Sequence, residues 1–251
     1  MHEFVAVNHR FLPAENAFLA AGSAAALYGK GIFTTVAVYN FEPFLWEKHW
    51  HRLLVNAPRI GIHLSGYTEH AVKKSLHEII EKNNFRTGRA RLTFFDESPT
   101  AVWEHAGKNK TSFLIQTAEF RVVKSKLNLT VSPFPVNSKS PLAGVKSCNY
   151  LEPLLAWEDA KARNCDEAIR LNEKGEIASA CLANIFWKKG GEIYTPPLET
   201  GCLDGTTRRF VLENLSVTKV KTNLDEIINA DEIFLTSAGI GVVPAAINHS
   251  K

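Results

Sequence analysis

The sequence has little that would commit it to a secreted, membrane or nucleic-acid-binding role. Its four cysteines show no CxxC spacing, so a disulfide framework is not expected and a reduced compartment is favoured. No apolar run is long enough to span a bilayer, and the first residues lack the basic and apolar stretches of a signal peptide. The formal charge is only +3, which argues against nucleic acid as a partner. We therefore expect a cytoplasmic protein without membrane or nucleic-acid partners.

Common short catalytic motifs are also missing. There is no GxSxG, no HExxH, no P-loop lysine and no GxGxxG. Two bare GxG triplets, at 29–31 and 239–241, are far more often turns than phosphate loops. His49 and His51 are two residues apart, which is the wrong spacing for one face of a helix. No metal site is predicted.

What remains is the composition of an ordinary globular protein, with 45% hydrophobic and 22% charged residues in 251. Helix and strand patterns are mixed along the chain, which predicts an α+β or α/β fold in two domains, 1–120 and 126–251. Strands are predicted at 4–7, 32–39, 90–95, 112–120, 127–134, 168–171, 176–178, 184–188, 192–194 and 232–236. Helices are predicted at 47–57, around 72–80, at 150–163 with Leu151, Leu154, Leu155 and Ala162 in the core, and at 206–215.

The first candidate for chemistry is a lysine in an apolar stretch. Lys146 lies within Leu142–Leu151, and the next acidic residue along the chain is Glu152. Burial disfavours the ammonium form, and the neutral amine is a nucleophile towards an aldehyde. The alternative, which composition alone favours, is a surface lysine between a loop and a helix.

A second candidate is the segment Leu203–Arg208. Gly205 is followed by Thr206 and Thr207, which open a predicted helix. Free backbone N–H groups, the positive end of the helix dipole and two hydroxyls together suit a phosphate. The alternative is an ordinary helix N-cap.

Six segments occur in an order that one family of enzymes shares. They are Gly29–Thr35, similar to GDGxF-T; His49–Leu53, similar to HxxRL; Gly144–Asn149, similar to a Schiff-base lysine motif; 183–187 with 194–197, similar to SNIF and TP strands; 203–208, similar to LxGITR; and 231–239 with Pro244, similar to a last strand and loop beside a phosphate. Over roughly residues 4–245 the chain thus resembles the class IV aminotransferase family. Within the family, aminodeoxychorismate lyases are most similar, followed by D-amino acid and branched-chain aminotransferases.

The resemblance implies a two-domain D-amino acid aminotransferase-like fold with pyridoxal 5′-phosphate at the domain interface, a cofactor-binding C-terminal domain and usually a homodimer. Lys146 would carry the cofactor as a Schiff base and act as general base on a small amino substrate, in a lyase or a transaminase reaction. The implied cofactor-binding residues are Arg52, Lys146, Tyr150, Ser179, Leu203, Thr206, Thr207 and Ala238, and the implied substrate-facing residues are Phe33 and Thr35. The alternatives are plain core for Phe33 and Leu203, the start of a helix for Tyr150 and a simple strand residue for Thr35.

The sequence departs from the family pattern in two places. The family carries a Glu against the pyridine nitrogen five residues before the Asn of Asn-Ile-Phe, and here that position is Ser179. Glu173 and Glu176 flank the nearby turn but are out of register. Many relatives have Arg-Gly after the strand that begins near Arg91, whereas this chain has Asp96-Glu97. A non-catalytic descendant that binds pyridoxal phosphate or a related anion is therefore the alternative function.

Overall fold

The computed structural model describes residues 1–101, 104–105 and 110–248. By their contacts, the residues form two units, Met1–Arg121 with Val145–Asn149, and Val122–Gly144 with Tyr150–Lys251. The short segment that contains Lys146 thus belongs to the first unit, whereas the division predicted from the sequence put it in the C-terminal domain. That predicted division into domains stays a prediction.

The first unit is built on an antiparallel sheet. Its strands are β1 (Phe4–Val7), β2 (Arg10–Pro13), β3 (Gly31–Tyr39), β4 (Glu42–Pro43), β5 (Gly88–Asp96) and β8 (Thr111–Ala118), in the order β2-β1-β8-β5-β3-β4. A separate two-stranded sheet pairs β6 (Thr100–Ala101) with β7 (Glu104–His105). The helices are α1 (Ala24–Tyr28), α2 (Trp46–Asn56) and α3 (Glu69–Lys82), with 3₁₀ turns at Ala14–Asn16 and Pro58–Ile60.

Alternation along the strands decides which face of this sheet is covered. Successive strand residues point to opposite faces. Ile32, Leu92 and Phe113 lie on the face that forms one core with Leu53 of α2 and Leu76 of α3. The apolar period of α3 that the sequence predicts is therefore the buried one. Arg91 points to the opposite face, since it alternates along β5 with the core residues Ala90 and Leu92.

The second unit holds a mixed eight-stranded sheet. Its strands are β9 (Leu127–Val131), β10 (Glu167–Leu171), β11 (Ile177–Ala180), β12 (Asn184–Lys189), β13 (Glu192–Thr195), β14 (Val217–Lys219), β15 (Glu232–Ser237) and β16 (Gly241–Ile247), in the order β11-β10-β9-β16-β15-β12-β13-β14. Its helices are α4 (Leu151–Ala162), α5 (Thr206–Asn214) and α6 (Leu224–Ile228), with a 3₁₀ turn at Leu198–Thr200. In the part of the chain that the structure describes, no helix is long and apolar enough to cross a membrane.

The predicted core of α4 is wrong. Leu151 is 68% exposed, and Leu154, Leu155 and Ala162 are exposed as well. The buried positions are Ala156 and Ala160, which share one helix face four residues apart. Small side chains let this face approach β10 closely, so the leucines point away from it.

Candidate active site

The segment around Lys146 is hydrogen-bonded along the start of β3. The Phe33 N–H donates to the Lys146 carbonyl over 2.8 Å, and the Cys148 N–H donates to the Gly31 carbonyl over 2.7 Å. A Cβ on Gly31 would lie only 2.9 Å from the Cys148 Sγ and from the Phe94 carbonyl oxygen. Glycine at position 31 therefore permits the close approach that holds the lysine segment against the sheet.

Helix α2 supplies a further support for this segment. Asn56, the last residue of α2, accepts the Lys146 N–H on its Oδ1 over 2.7 Å and is only 5% exposed. The motifs of the sequence do not predict a role for Asn56 in the site. It lies four residues after Arg52 and seven after His49, which places all three on one helix face, and this spacing is the sequence feature that indicates its position.

The Lys146 amine lies over an aromatic ring. Its Nζ is 4.8 Å from the centroid of the Phe33 ring. Burial holds the pKa of Lys146 well below its ordinary value, and the positive charges of Arg52 and Arg91 lower it further. A larger fraction of the amine is therefore neutral, which is the form that attacks a carbonyl carbon.

Arg52, the predicted phosphate ligand, is buried between α2 and β3 at 5% exposure. Its Nη2 donates to the Thr34 Oγ1 over 2.6 Å. The same hydroxyl lies 2.6 Å from the Nδ1 of His49. Burial, followed by the charges of Arg52 and Lys146, holds the pKa of His49 well below its ordinary value. Thr34 and His49 are thus polar partners that the sequence did not single out for this role.

Arg91 is the other cation near the lysine. Its guanidinium carbon lies 3.7 Å from the centroid of the Phe33 ring, and Thr35 is its cross-strand neighbour. Both predicted substrate-facing residues, Phe33 and Thr35, therefore lie beside Arg91. A cavity of about 270 Å³ within the first unit is lined by Arg91 together with Lys30, Phe95, Leu114 and Cys148, among others.

The last residue of β5, Asp96, forms an ion pair with the residue that precedes β3. Lys30 Nζ lies 2.8 Å from Asp96 Oδ2, and Asp96 is 1% exposed. Burial alone would raise the pKa of Asp96, but the bonds from Lys30 and from the Ser98 N–H keep this pKa below its ordinary value. The carboxylate that stands where many relatives carry an arginine is thus ionised and internally paired.

The second unit contains the other predicted phosphate segment. Gly205 precedes α5, and among the described residues no side chain caps this helix. A Cβ on Gly205 would lie 2.1 Å from the Asn184 Oδ1, and the Asn184 Nδ2 donates to the Leu203 carbonyl over 2.8 Å. Thr206 and Thr207, the first two residues of α5, are 2% and 8% exposed. The close packing on Asn184 explains the glycine and leaves the first N–H groups of α5 without a competing side chain.

Ser179 lies on β11, where its cross-strand partner is Arg170 of β10. Arg170 is 4% exposed. It donates to the carbonyls of Phe134 and Pro135 and forms an ion pair with Glu152. Glu176 accepts a hydrogen bond from the Asn172 side chain over 2.8 Å within the hairpin turn.

The remaining predicted residues also lie in the second unit. Tyr150 is the residue just before α4, and Leu203 is partly buried in the segment before α5. Ala238 lies in the turn between β15 and β16. Their cofactor contacts stay predictions. In the described residues, no group of His, Cys, Asp or Glu could hold a metal ion.

The Lys146 amine has a lowered pKa and is close enough to Arg52 and Arg91 to feel their charges, a setting that suits a lysine nucleophile. The model of the family described as amino-transferase class IV matches residues 31–247. The chain therefore belongs to the amino-transferase class IV family, as the six sequence segments predicted.

Individual relatives agree with this assignment. The chain is 29% identical to the aminodeoxychorismate lyase of Bacillus subtilis over 255 residues, which is 95% of this chain and 84% of the relative. It is 27% identical to a D-alanine aminotransferase of Bacillus licheniformis over 86% of this chain and 78% of the relative. The solved branched-chain aminotransferase of Thermoproteus uzoniensis superposes with a TM-score of 0.91 at 27% identity, over 99% of this chain and 88% of that one. The predicted fold is thereby confirmed.

Proposed function

We propose that this class IV enzyme uses pyridoxal 5′-phosphate and acts on a small amino substrate, as an aminodeoxychorismate-lyase-like lyase or as an amino acid transaminase. The observation that carries the proposal is the Lys146 amine, whose pKa is lowered and whose backbone is fixed by Phe33, Cys148 and Asn56. When bound, the cofactor supplies an aldehyde that condenses with amines and a ring that withdraws electrons.

The residues of the first unit fit this cofactor. Lys146 offers a partly buried amine for the aldehyde, and Arg52 offers a guanidinium that donates a hydrogen bond to Thr34. Arginine binds phosphate through several N–H donors of fixed geometry. During turnover, the Lys146 Nζ would take the proton from the carbon next to the substrate amine, while Phe33 and Thr35 face the substrate.

The residues of the second unit fit a phosphate and a ring. The uncapped start of α5, with Thr206 and Thr207, offers N–H and hydroxyl donors, and Ala238 would add a backbone group. Leu203 would lie against the ring, Tyr150 near its phenolic oxygen and Ser179 near its nitrogen.

We also propose that the protein is a cytoplasmic homodimer, as the family resemblance implies. Sedimentation equilibrium can check the homodimer.

The proposal is tested by trapping the cofactor. Borohydride reduction of the protein after incubation with pyridoxal phosphate should place the pyridoxyl group on Lys146, located by peptide mass mapping. Lys30 is a suitable internal comparison because its Nζ is engaged by Asp96. Label on Lys30 or on another lysine in place of Lys146, or no label at all, contradicts the proposal.

The second candidate is a descendant that binds the cofactor without turnover. Ser179 favours it, because serine does not supply the carboxylate that keeps the ring nitrogen protonated. Absorption spectra of the loaded protein separate the two functions. A spectrum that changes with amino acids or aminodeoxychorismate supports the enzyme, and a spectrum that no substrate alters supports the binding protein.

A further inference from the structure

Thr34 is the point at which β3 meets the polar side of α2. It is fully buried, and its hydroxyl oxygen lies 2.6 Å from the Arg52 Nη2 and 2.6 Å from the His49 Nδ1. Both of these partners are themselves at most 5% exposed. A buried hydroxyl with two short contacts can be analysed by counting its donors and acceptors.

The count fixes the direction of the bond from Arg52. A guanidinium has only donors, so Thr34 accepts from Arg52. The direction of the bond to His49 depends on the tautomer of the ring. We assign the tautomer in which the hydroxyl gives its proton to the His49 Nδ1 and the neutral ring carries its own proton on Nε2. Burial and the charges of Arg52 and Lys146 favour the same neutral form.

We infer that Thr34, with its proton given to His49, is a positioning residue that holds the Arg52 guanidinium ready for an anion. The inference rests on the proposed function, which gives Arg52 the cofactor phosphate. Without the Thr34 oxygen, the arginine side chain would have other rotamers open to it, and ordering it would reduce the binding free energy. Thr34 need not touch the phosphate for this effect.

The test compares pyridoxal phosphate with pyridoxal, which lacks the phosphate. Spectroscopic titration of the cofactor-free protein gives both affinities. The ratio of the affinity for pyridoxal phosphate to the affinity for pyridoxal measures the contribution of the phosphate to binding. Thr34→Val keeps the shape but loses the acceptor, and should weaken pyridoxal phosphate binding about tenfold, equal to ~1.4 kcal/mol. Pyridoxal binding should stay unchanged. Thr34→Ser restores the hydroxyl and should restore the ratio.

Two further variants keep the inference testable if Thr34→Val folds poorly. His49→Asn places an acceptor near the position of Nδ1 and should retain the ratio, whereas His49→Leu removes it and should lower the ratio. Thr117→Val is the matched control, since Thr117 is a buried threonine of the same sheet. It should lower stability without changing the ratio.

Each unfavourable result has a distinct meaning. If Thr34→Val weakens both ligands equally, Thr34 is merely structural and the inference is wrong. If Arg52→Ala lowers the ratio but Thr34→Val and His49→Leu do not, positioning by Thr34 is refuted while the phosphate role of Arg52 stands. If Arg52→Ala also leaves the ratio unchanged, the proposed role of Arg52 itself fails.

Discussion

Gly205 offers a test of the second unit whose magnitude follows from the structure. Its backbone angles, φ −69° and ψ 142°, suit any residue, so Gly205→Ala introduces no backbone strain. The new Cβ, however, would lie 2.1 Å from the Asn184 Oδ1. Asn184 is 5% exposed, and it has to move, which breaks its 2.8 Å bond to the Leu203 carbonyl.

The cost comes from the buried amide that is left without its partner, which is roughly 1–3 kcal/mol. We therefore expect Gly205→Ala to lower the free energy of unfolding by about 1–3 kcal/mol, a large part of the roughly 5–15 kcal/mol typical of proteins. Retention of pyridoxal phosphate should also fall, because the start of α5 shifts.

Urea unfolding followed by circular dichroism measures the loss. Gly22→Ala is the control, since its Cβ would meet no described atom within 4 Å, and its effect should stay within about 0.5 kcal/mol. In an Asn184→Ala background the clash partner is gone, so Gly205→Ala should there cost little. Equal losses in both backgrounds, or a Gly205→Ala protein as stable as Gly22→Ala, would refute the contact as the cause.

Two further predictions concern titration and the ring nitrogen. Folding lowers the pKa of Lys146. At a pH between the folded-state pKa and the ordinary lysine pKa of about 10.4, the unfolded chain therefore binds more protons than the folded one. The stability of the cofactor-free protein should consequently rise with pH in that range. Lys146→Met should flatten that rise in denaturation curves between pH 7 and 10, and an unchanged slope contradicts the lowered pKa. Ser179→Glu should strengthen cofactor binding by a few kcal/mol at most and accelerate transamination more than elimination, whereas Glu176→Ala should matter only if Glu176 serves the nitrogen. If neither variant alters the cofactor spectrum, the register counted from Asn-Ile-Phe is wrong.

The sequence alone predicts buried residues correctly where the local apolar pattern agrees with the tertiary environment. The apolar period of α3 alone predicts its buried face, with Leu76 and Ile79 fully enclosed. The strand order of the sheets is not local information, because pairs such as β1 with β8 join distant parts of the chain. In α4 the apolar pattern predicts that the leucines form the core, but alanines such as Ala156 are buried and Leu151 is exposed.

The polar support of the site could not be predicted for a similar reason. The spacing of His49 and His51 excludes a metal pair on one helix face, and the sequence alone predicts no hydrogen-bond partner for His49. Its partner Thr34 lies on another element, fifteen residues earlier in the chain, and only the packing of α2 on β3 brings the two together over 2.6 Å. The bond from Asn56 to the Lys146 backbone likewise joins residues ninety positions apart.

The two departures from the family pattern differ in kind once their neighbours are known. Asp96 stands where the family pattern implies an arginine, and its Oδ2 lies 2.8 Å from the Lys30 Nζ. The charge of this carboxylate is therefore matched within the first unit. Position 179 has no such compensation, because the cross-strand neighbour of Ser179 is the cation Arg170, which Glu152 already engages. A ring nitrogen held near Ser179 would therefore meet a hydroxyl in place of a carboxylate, and a neutral hydroxyl stabilises the protonated ring less than a carboxylate does.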